Sequence, residues 1–133
     1  MAEGISVTGN KKIETLKKEF TSKYPYLKLL VCPMSEKEKA EKGLRISQVD
    51  TSLTIANVRT KVAPGNITIT GNKLVKTLEK EFEDIFGLYV QVAHTNEDGR
   101  CMYSTLRGGG DNMTLSAYNK KREEQGDLKD KWE

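Results

Sequence analysis

The pattern of apolar and polar side chains predicts a strand followed by an amphipathic helix at the start of the chain. Residues 5–8 alternate between apolar and polar side chains and include three β-branched residues, as in a short, half-buried strand. Apolar residues then recur at steps of three and four, which places them on one face of a helix: Ile13, Leu16, Phe20 and Tyr24. Pro25 ends that helix, and residues 26–31 follow as a second strand. If the two strands lie parallel in one sheet, they form a right-handed crossover around the helix.

The same pattern occurs a second time. Residues 67–82 match residues 5–20 at ten of sixteen aligned positions, so we interpret the chain as an internal duplication. The second strand of the second copy spans residues 88–93, and it aligns with its counterpart at a shift of 61 instead of 62. Asn96-Glu97-Asp98-Gly99 then predicts a hairpin turn, with a returning antiparallel strand at residues 100–104.

Further segments complete the first copy. Residues 35–43 are highly charged and predict a solvated loop or a short exposed helix. Residues 44–47 predict a third strand beside residues 27–31. A short helix follows through residues 53–58, and Asp50, Thr51 and Ser52 offer caps for it.

The second copy ends in the same way. Gly87 occupies the stop position that Pro25 holds in the first copy, and Asp111 or Asn112 caps a helix that begins at about Thr114. The tail from residue 120 to residue 133 is mostly charged, so its start extends that helix and its end is expected to fray.

These elements predict an α/β fold, with an α+β arrangement as the alternative. Each copy has the order β-α-β-β-α, and we expect two pseudo-symmetric repeats with sheet and helices in two layers. The first repeat covers residues 1–63 and the second covers residues 64–133. A unit of about 60 residues is at the lower limit of independent stability, so the repeats are expected to pack as one compact unit.

A family resemblance rests on residues of the second copy, namely Gly71-Asn72-Lys73, Thr77-Leu78-Glu79, Phe82, Phe86-Gly87, Val90-Gln91-Val92 and Thr114-Leu115. In these residues the chain resembles small uncharacterised bacterial proteins, common in gut Bacteroidetes, that carry this unit in tandem. The first copy departs from that pattern in the 35–43 insertion and in Pro25, which replaces a glycine. The resemblance covers most of the chain and implies this fold and a bacterial cytoplasmic setting. It implies no activity, cofactor or catalytic residue.

Composition narrows the classes of function. The chain has 133 residues, with 22 basic and 19 acidic side chains and a net charge of +3, whereas a dedicated nucleic-acid binder usually shows a clustered basic excess. The first residues lack the features of a secretory signal, and no apolar stretch approaches about 18 residues, so we expect a cytoplasmic protein without membrane contact. Cys32 and Cys101 fit reduced thiols or one bridge, and no closely spaced pair indicates a metal. We expect neither a metal nor a cofactor.

The turn before each main helix is a candidate anion site. A glycine that can take a positive φ, an asparagine that can cap the helix and a lysine in its first turn stand where a strand leads into a helix N-terminus. The residues are Gly9, Asn10, Lys11, Gly71, Asn72 and Lys73. In the simpler interpretation, the glycine and asparagine only form the turn and cap while the lysine points into water.

A glycine-rich loop is a second candidate for binding. It comprises Arg107, Gly108, Gly109 and Gly110, and such a loop can fold around a ligand or a phosphate. A tract of three glycines also serves as a flexible tether, which is the more common use.

Polar and aromatic residues on one sheet face form the third candidate. If that face is uncovered, its tyrosines offer a surface for stacking or for a protein partner. The residues are Tyr26, Lys28, Tyr89, Gln91, Arg100 and Tyr103. In the alternative interpretation, the other repeat or the short helices cover this face.

A catalytic pair formed by Cys101 and His94 requires that the hairpin place these residues opposite each other. A Cys/His pair would then be possible, although an ordinary cross-strand contact explains the same arrangement. We assign no catalytic residue and no metal ligand, because one histidine with one or two cysteines does not close a zinc site.

The sequence therefore predicts a non-enzymatic protein-binding or adaptor module. The alternatives are a nucleic-acid-binding protein that uses the tyrosine-bearing face and a small Cys/His enzyme. The expected partner is a protein, with nucleic acid and self-association as further possibilities. A specific site is expected where the copies differ, at residues 33–47 and 94–112.

Overall fold

The computed structural model describes residues 4–42, 44, 46–61, 66–103 and 112–130. The strands are Ile5–Val7 (β1), Lys28–Pro33 (β2), Ile67–Ile69 (β3), Leu88–Thr95 (β4) and Cys101–Tyr103 (β5). The helices are Ile13–Lys23 (α1), Lys37–Glu41 (α2), Ile55–Val58 (α3), Val75–Glu81 (α4) and Leu115–Glu124 (α5). A 3₁₀ turn at Met34–Glu36 precedes α2, and a π-helical turn at Phe82–Phe86 continues α4. Within these ranges, no helix is long and apolar enough to cross a membrane.

The fold is α+β, with antiparallel strands in two sheets. One sheet pairs β1 with β3, and the other has the order β2-β4-β5. The expected parallel crossover is wrong, because β1 and β2 belong to different sheets. Instead, the strands that precede the two main helices, β1 and β3, pair with each other. The strands that follow those helices, β2 and β4, also pair with each other, so each sheet joins one copy to the other.

The strand registers are reciprocal between the copies. Ile5 pairs with Ile69 and Val7 with Ile67, with Ser6 opposite Thr68 at the centre. The larger sheet follows the same rule, since Leu29 pairs with Val92, Val31 pairs with Val90 and Leu30 stands opposite Gln91. Reciprocal contacts of this kind are those that a twofold axis between the copies would generate.

The main helices begin without the predicted asparagine caps. Helix α1 starts after Lys12 and α4 after Leu74, and neither N-terminus has a side-chain cap. Each start is bonded to the short helix of its own copy. Ile13 N–H donates to the Leu53 carbonyl (2.9 Å), and Val75 N–H donates to the Met113 carbonyl (2.9 Å). Asn10 and Asn72 lie two residues before the N-cap positions, which are Lys12 and Leu74.

Threonines cap the short helices instead. The Thr54 side chain accepts from the Asn57 N–H in a capping box, and the Thr114 side chain accepts from the Ala117 N–H (3.2 Å). The sequence placed these caps at other residues, 50–52 in the first copy and Asp111 or Asn112 in the second.

One apolar core lies between the sheets and helices α1 and α4. Its largest fully buried side chains come from both copies: Tyr118, Phe20, Phe82, Phe86, Ile13, Leu16, Leu27 and Leu29. A smaller cluster covers the other face of the larger sheet and contains Leu30, Cys32, Tyr89 and Ala93, with Met34 and Ile46 packed against it. The sheet is therefore buried on both faces.

The predicted strand at residues 44–47 is not formed, because Leu44, Ile46 and Ser47 lie outside any strand. Polar side chains replace a regular ladder here. Ser47 N–H donates to the Glu36 carboxylate (2.7 Å), and Val31 N–H donates to the side-chain oxygen of Gln48 (3.4 Å). The segment still closes the outer edge of β2, since the next residue, Val49, donates its N–H to the Val31 carbonyl (2.9 Å).

The segment after α3 docks on the end of the second main helix at Gly87. Thr60 donates its N–H to the Phe86 carbonyl (3.0 Å) and its hydroxyl to the Gly87 carbonyl (2.6 Å). Gly87 has a φ of 61°, and a Cβ there would lie 2.4 Å from the Thr60 hydroxyl oxygen. The predicted helix stop at this residue is correct, and the structure adds a steric reason for a glycine.

We expect Gly87→Ala to destabilise the fold more than Gly99→Ala. Gly99 also has a positive φ (83°), but a Cβ there would meet nothing within 4 Å. The Gly99→Ala variant therefore measures the cost of backbone strain without a steric clash. Gly99→Ala should lower the free energy of unfolding by about 1 kcal/mol, and Gly87→Ala by roughly 2–4 kcal/mol because overpacking adds to strain. Chemical denaturation of both variants measures the difference. Equal losses would show that Thr60 moves aside at no cost.

Candidate functional site

The two strand-to-helix turns are bonded to groups of the protein itself. Lys11 is paired with Glu19, and Lys73 with Glu81, so each lysine is neutralised by its own helix. The φ angles of Gly9 and Gly71 are not positive. Their carbonyls accept bonds from the N–H groups of Ala56 (2.9 Å) and Ser116 (3.1 Å), which ties each turn to a short helix. Asn10 and Asn72 are exposed and cap neither helix.

The tyrosine-bearing sheet face is covered around Tyr89 and Gln91, so these two residues offer no open surface. Tyr89 is 5% exposed and Gln91 is fully buried, and the Tyr89 hydroxyl donates to the Gln91 side-chain oxygen (2.5 Å). Met34 and Ile46 pack over the cluster that contains Tyr89. Burial also raises the pKa of the neighbouring Cys32 thiol to about 12, so it is not a reactive thiolate near neutral pH.

The other members of the predicted face are dispersed. Tyr26 is half-buried, and its N–H donates to the Asn119 side chain (2.8 Å). Lys28 faces Asp130, and Arg100 is exposed beside the hairpin turn. Tyr103 belongs to β5, but its side chain lies outside the described part of the structure, as do Arg107, Gly108, Gly109 and Gly110.

Cys101 and His94 do not form a pair. In the hairpin Cys101 stands opposite Thr95, and His94 stands opposite Met102, so the two side chains occupy adjacent register positions on opposite faces. Cys101 is exposed by surface area, yet partial desolvation raises the pKa of its thiol. A Cys/His reaction centre is therefore not present at these residues.

A polar cluster that the sequence did not predict lies where the C-terminal segment crosses the end of β4. We call residues 126–130 the strap. The Asp127 carboxylate lies 2.6 Å from His94 Nδ1 and 3.8 Å from the Arg122 guanidinium. The side chains of His94 and Asp127 are only 7% and 4% exposed, and the His94 ring packs edge-on against Tyr118.

A second carboxylate anchors the other end of the strap. Asp130 accepts from the Thr95 hydroxyl (2.7 Å), lies 3.9 Å from Lys28 Nζ and has a side chain that is 3% exposed. The backbone adds two bonds, from the Leu128 N–H to the Thr95 carbonyl (3.0 Å) and from the Asp130 N–H to the Pro25 carbonyl (2.8 Å). The prediction that the end of the tail frays is therefore wrong for residues 126–130.

Burial controls the electrostatics of this cluster. Desolvation lowers the pKa of His94, although Asp127 acts in the opposite direction. Desolvation also raises the pKa of Asp130, against the effects of Thr95 and Lys28. Among the residues that the structure describes, no group of three or more His, Cys, Asp or Glu side chains could hold a metal ion.

The strap is not apparent from the sequence, because its acidic residues stand in a charged tail that has no apolar period. One local signal was available. Gly126, which has a φ of 84°, lies one residue beyond Gln125, the C-cap of α5, and a glycine in this conformation is a common helix stop. A helix stop there implies that residues 127–130 turn back toward the fold.

The outer edge of β5 is the second feature of this region. Asn96 N–H donates to the Arg100 carbonyl (2.9 Å), and the Thr95 carbonyl is occupied by Leu128 on the other side of β4. Because bonded pairs alternate in an antiparallel ladder, the N–H and C=O groups of Cys101 point away from β4. No other strand in the described ranges pairs with β5.

Comparisons of the chain with protein families, curated proteins and solved structures found no match. The resemblance to tandem bacterial proteins therefore stays a prediction, and any functional argument rests on the geometry of this region.

We expect acidification from about pH 7 to about pH 5 to destabilise the fold through His94. Its pKa in the folded chain is below the ordinary value of 6.5, so the unfolded chain binds more protons in this range. The stabilisation is complete above the unfolded pKa and is lost as the pH falls toward the folded one.

His94→Gln should make the urea midpoint less dependent on pH over the same interval. Asp130 has a raised pKa and acts with the opposite sign, but it is present in both proteins. Glu36 and Asp50 have lowered pKa values, so they lose their contribution only at more acidic pH. An unchanged pH dependence in the variant would assign the effect to another group.

Proposed function

We propose that this chain is a non-enzymatic protein-binding module that takes an extended segment of a partner protein as an added strand on β5. The supporting observation is the outward direction of the Cys101 N–H and C=O groups, which have no strand partner among the described residues. An added strand would bond to these groups, since main-chain bonds supply affinity in this mode of recognition and side-chain contacts supply specificity.

The two edges of the larger sheet differ in a way that favours β5. At the opposite edge, Gln48 and Val49 already bond to the backbone of Val31. β5 has only three residues and follows the exposed Arg100, and a short edge strand beside a charge resists unselective aggregation. Such an edge can accept a strand without being a general aggregation site.

The alternatives have less support from the geometry. The nucleic-acid hypothesis depended on a tyrosine surface, but Tyr89 and Gln91 are buried. The enzyme hypothesis depended on a Cys101/His94 pair, which the hairpin register does not form. A second copy of the chain at β5 is a special case of strand addition, and the experiment below distinguishes it.

We expect Cys101→Pro to abolish strand addition while Cys101→Thr retains it. Proline removes an N–H that faces outward, so the hydrogen bonds between β5 and β4 are kept. Threonine keeps this N–H and is a β-branched residue of similar size to cysteine. Peptides selected on the wild-type chain from a displayed library should bind Cys101→Thr with little change. They should bind Cys101→Pro about tenfold more weakly or worse, a loss of about 1.4 kcal/mol.

Amide hydrogen exchange tests the position directly, because the bound peptide should protect the Cys101 amide in the wild-type chain. Selected peptides that bind both variants equally would place the site elsewhere and contradict the proposal. Self-association of the wild-type chain that is lost in Cys101→Pro would identify the added strand as a second copy.

A further inference from the structure

The strap occupies a strand position on β4. β2 pairs with β4 only as far as Lys28 opposite Ala93, and beyond that point β4 continues to Thr95. Leu128 lies on the side of β4 that β2 leaves unpaired beyond Ala93, where it forms an antiparallel bridge with Thr95. Because β5 pairs with Thr95 from the other side, the strap and β5 lie on opposite edges of β4.

Carboxylates make the specific contacts of the strap. The Asp127 carboxylate lies against His94 and Arg122, and the Asp130 carboxylate accepts a bond from Thr95 and lies 3.9 Å from Lys28 Nζ. The Leu128 backbone between them donates to Thr95. The surface at the end of β4 thus binds an extended segment that has two acidic side chains three residues apart.

Buried apolar side chains contribute little to the stability of the contact between the strap and the rest of the fold. Its one apolar side chain, Leu128, is 47% exposed. Buried ion pairs lose much of their Coulomb energy to desolvation, so two carboxylate contacts stabilise the strap weakly. Gly126, the first residue of the strap, has a φ of 84° and lies just beyond the end of α5. Segments with few buried apolar contacts open locally at low cost.

We propose that the end of β4, with His94, Arg122, Thr95 and Lys28, is a binding site for an extended acidic peptide that carries two carboxylates three residues apart. The strap is the resident competitor at this site. It is tethered through α5, so it has a high effective concentration and keeps the site closed until a peptide displaces it. This site does not depend on strand addition at β5, because it uses the opposite edge of β4.

The test uses the full chain with Asp127→Asn and Asp130→Asn, which weakens the strap without shortening the protein. The probe is a capped, fluorescent peptide of the sequence Gln-Gly-Asp-Leu-Lys-Asp, which corresponds to residues 125–130. The control peptide has asparagine at both acidic positions. A control protein with Asp98→Asn and Glu123→Gln carries the same change in charge at exposed positions.

Fluorescence anisotropy should show that the acidic peptide binds the strap variant at least about tenfold more tightly than it binds the wild-type or control protein. The asparagine peptide should bind none of them. Equal binding of the two peptides to the strap variant, or no binding by a strap variant whose far-ultraviolet dichroism is native, would overturn the proposal.

Hydrogen exchange in the wild-type chain gives a second test that does not depend on the variant folding. The Leu128 amide bonds to Thr95 and should exchange by local opening, faster than the Gln91 amide, which lies in a bonded pair with Leu30 in the centre of the sheet. If the two amides exchange only in the same global unfolding event, the strap is not displaceable and the proposal is wrong.

Discussion

Pairing between the two copies is the constraint on which the rest of the structure depends. Neither copy has a sheet of its own, because β1 pairs with β3 and β2 pairs with β4. A strand can bury its apolar face only when its backbone groups are bonded to a neighbour, so each copy needs the other for its core. The main helices then cover a single apolar interior that receives side chains from both copies.

The reciprocal arrangement extends to the segments that follow the short helices. Thr60 bonds to Phe86 at the end of the second main helix, and Asp130 bonds to Pro25 after the first. The two junctions differ in chemistry, since the second adds carboxylates that are almost fully buried. Buried charge is an inefficient source of stability, which is why we relate the strap to recognition and not to folding alone. One proposed site lies on the outer edge of β5, and the other lies at the end of β4 on the edge opposite β5.

Much of the local structure could be predicted from the sequence. The helical faces of α1 and α4, the stop at Gly87 and the turn that joins β4 to β5 each depend on residues a few positions apart, and all of them are found in the structure. The matching stretches at residues 5–20 and 67–82 also indicated equivalent elements. The candidate site was predicted only as a region, residues 94–112, which includes His94, Thr95 and Cys101 but not the strap that binds there.

The sequence by itself determined most of the segments that become helix or strand, because periodicity, turn residues and helix stops act over short distances. The predicted strand at residues 44–47 is an exception, because it is not formed. Only the tertiary structure decided which strands pair, because that choice depends on burying both copies in one core. It also covered Tyr89 and Gln91, since the residues packed over that face come from the irregular segment around Ile46. Likewise, it brought Asp127 to His94 and Asp130 to Lys28. Such contacts join residues that are far apart in the chain, so a local sequence pattern does not predict them.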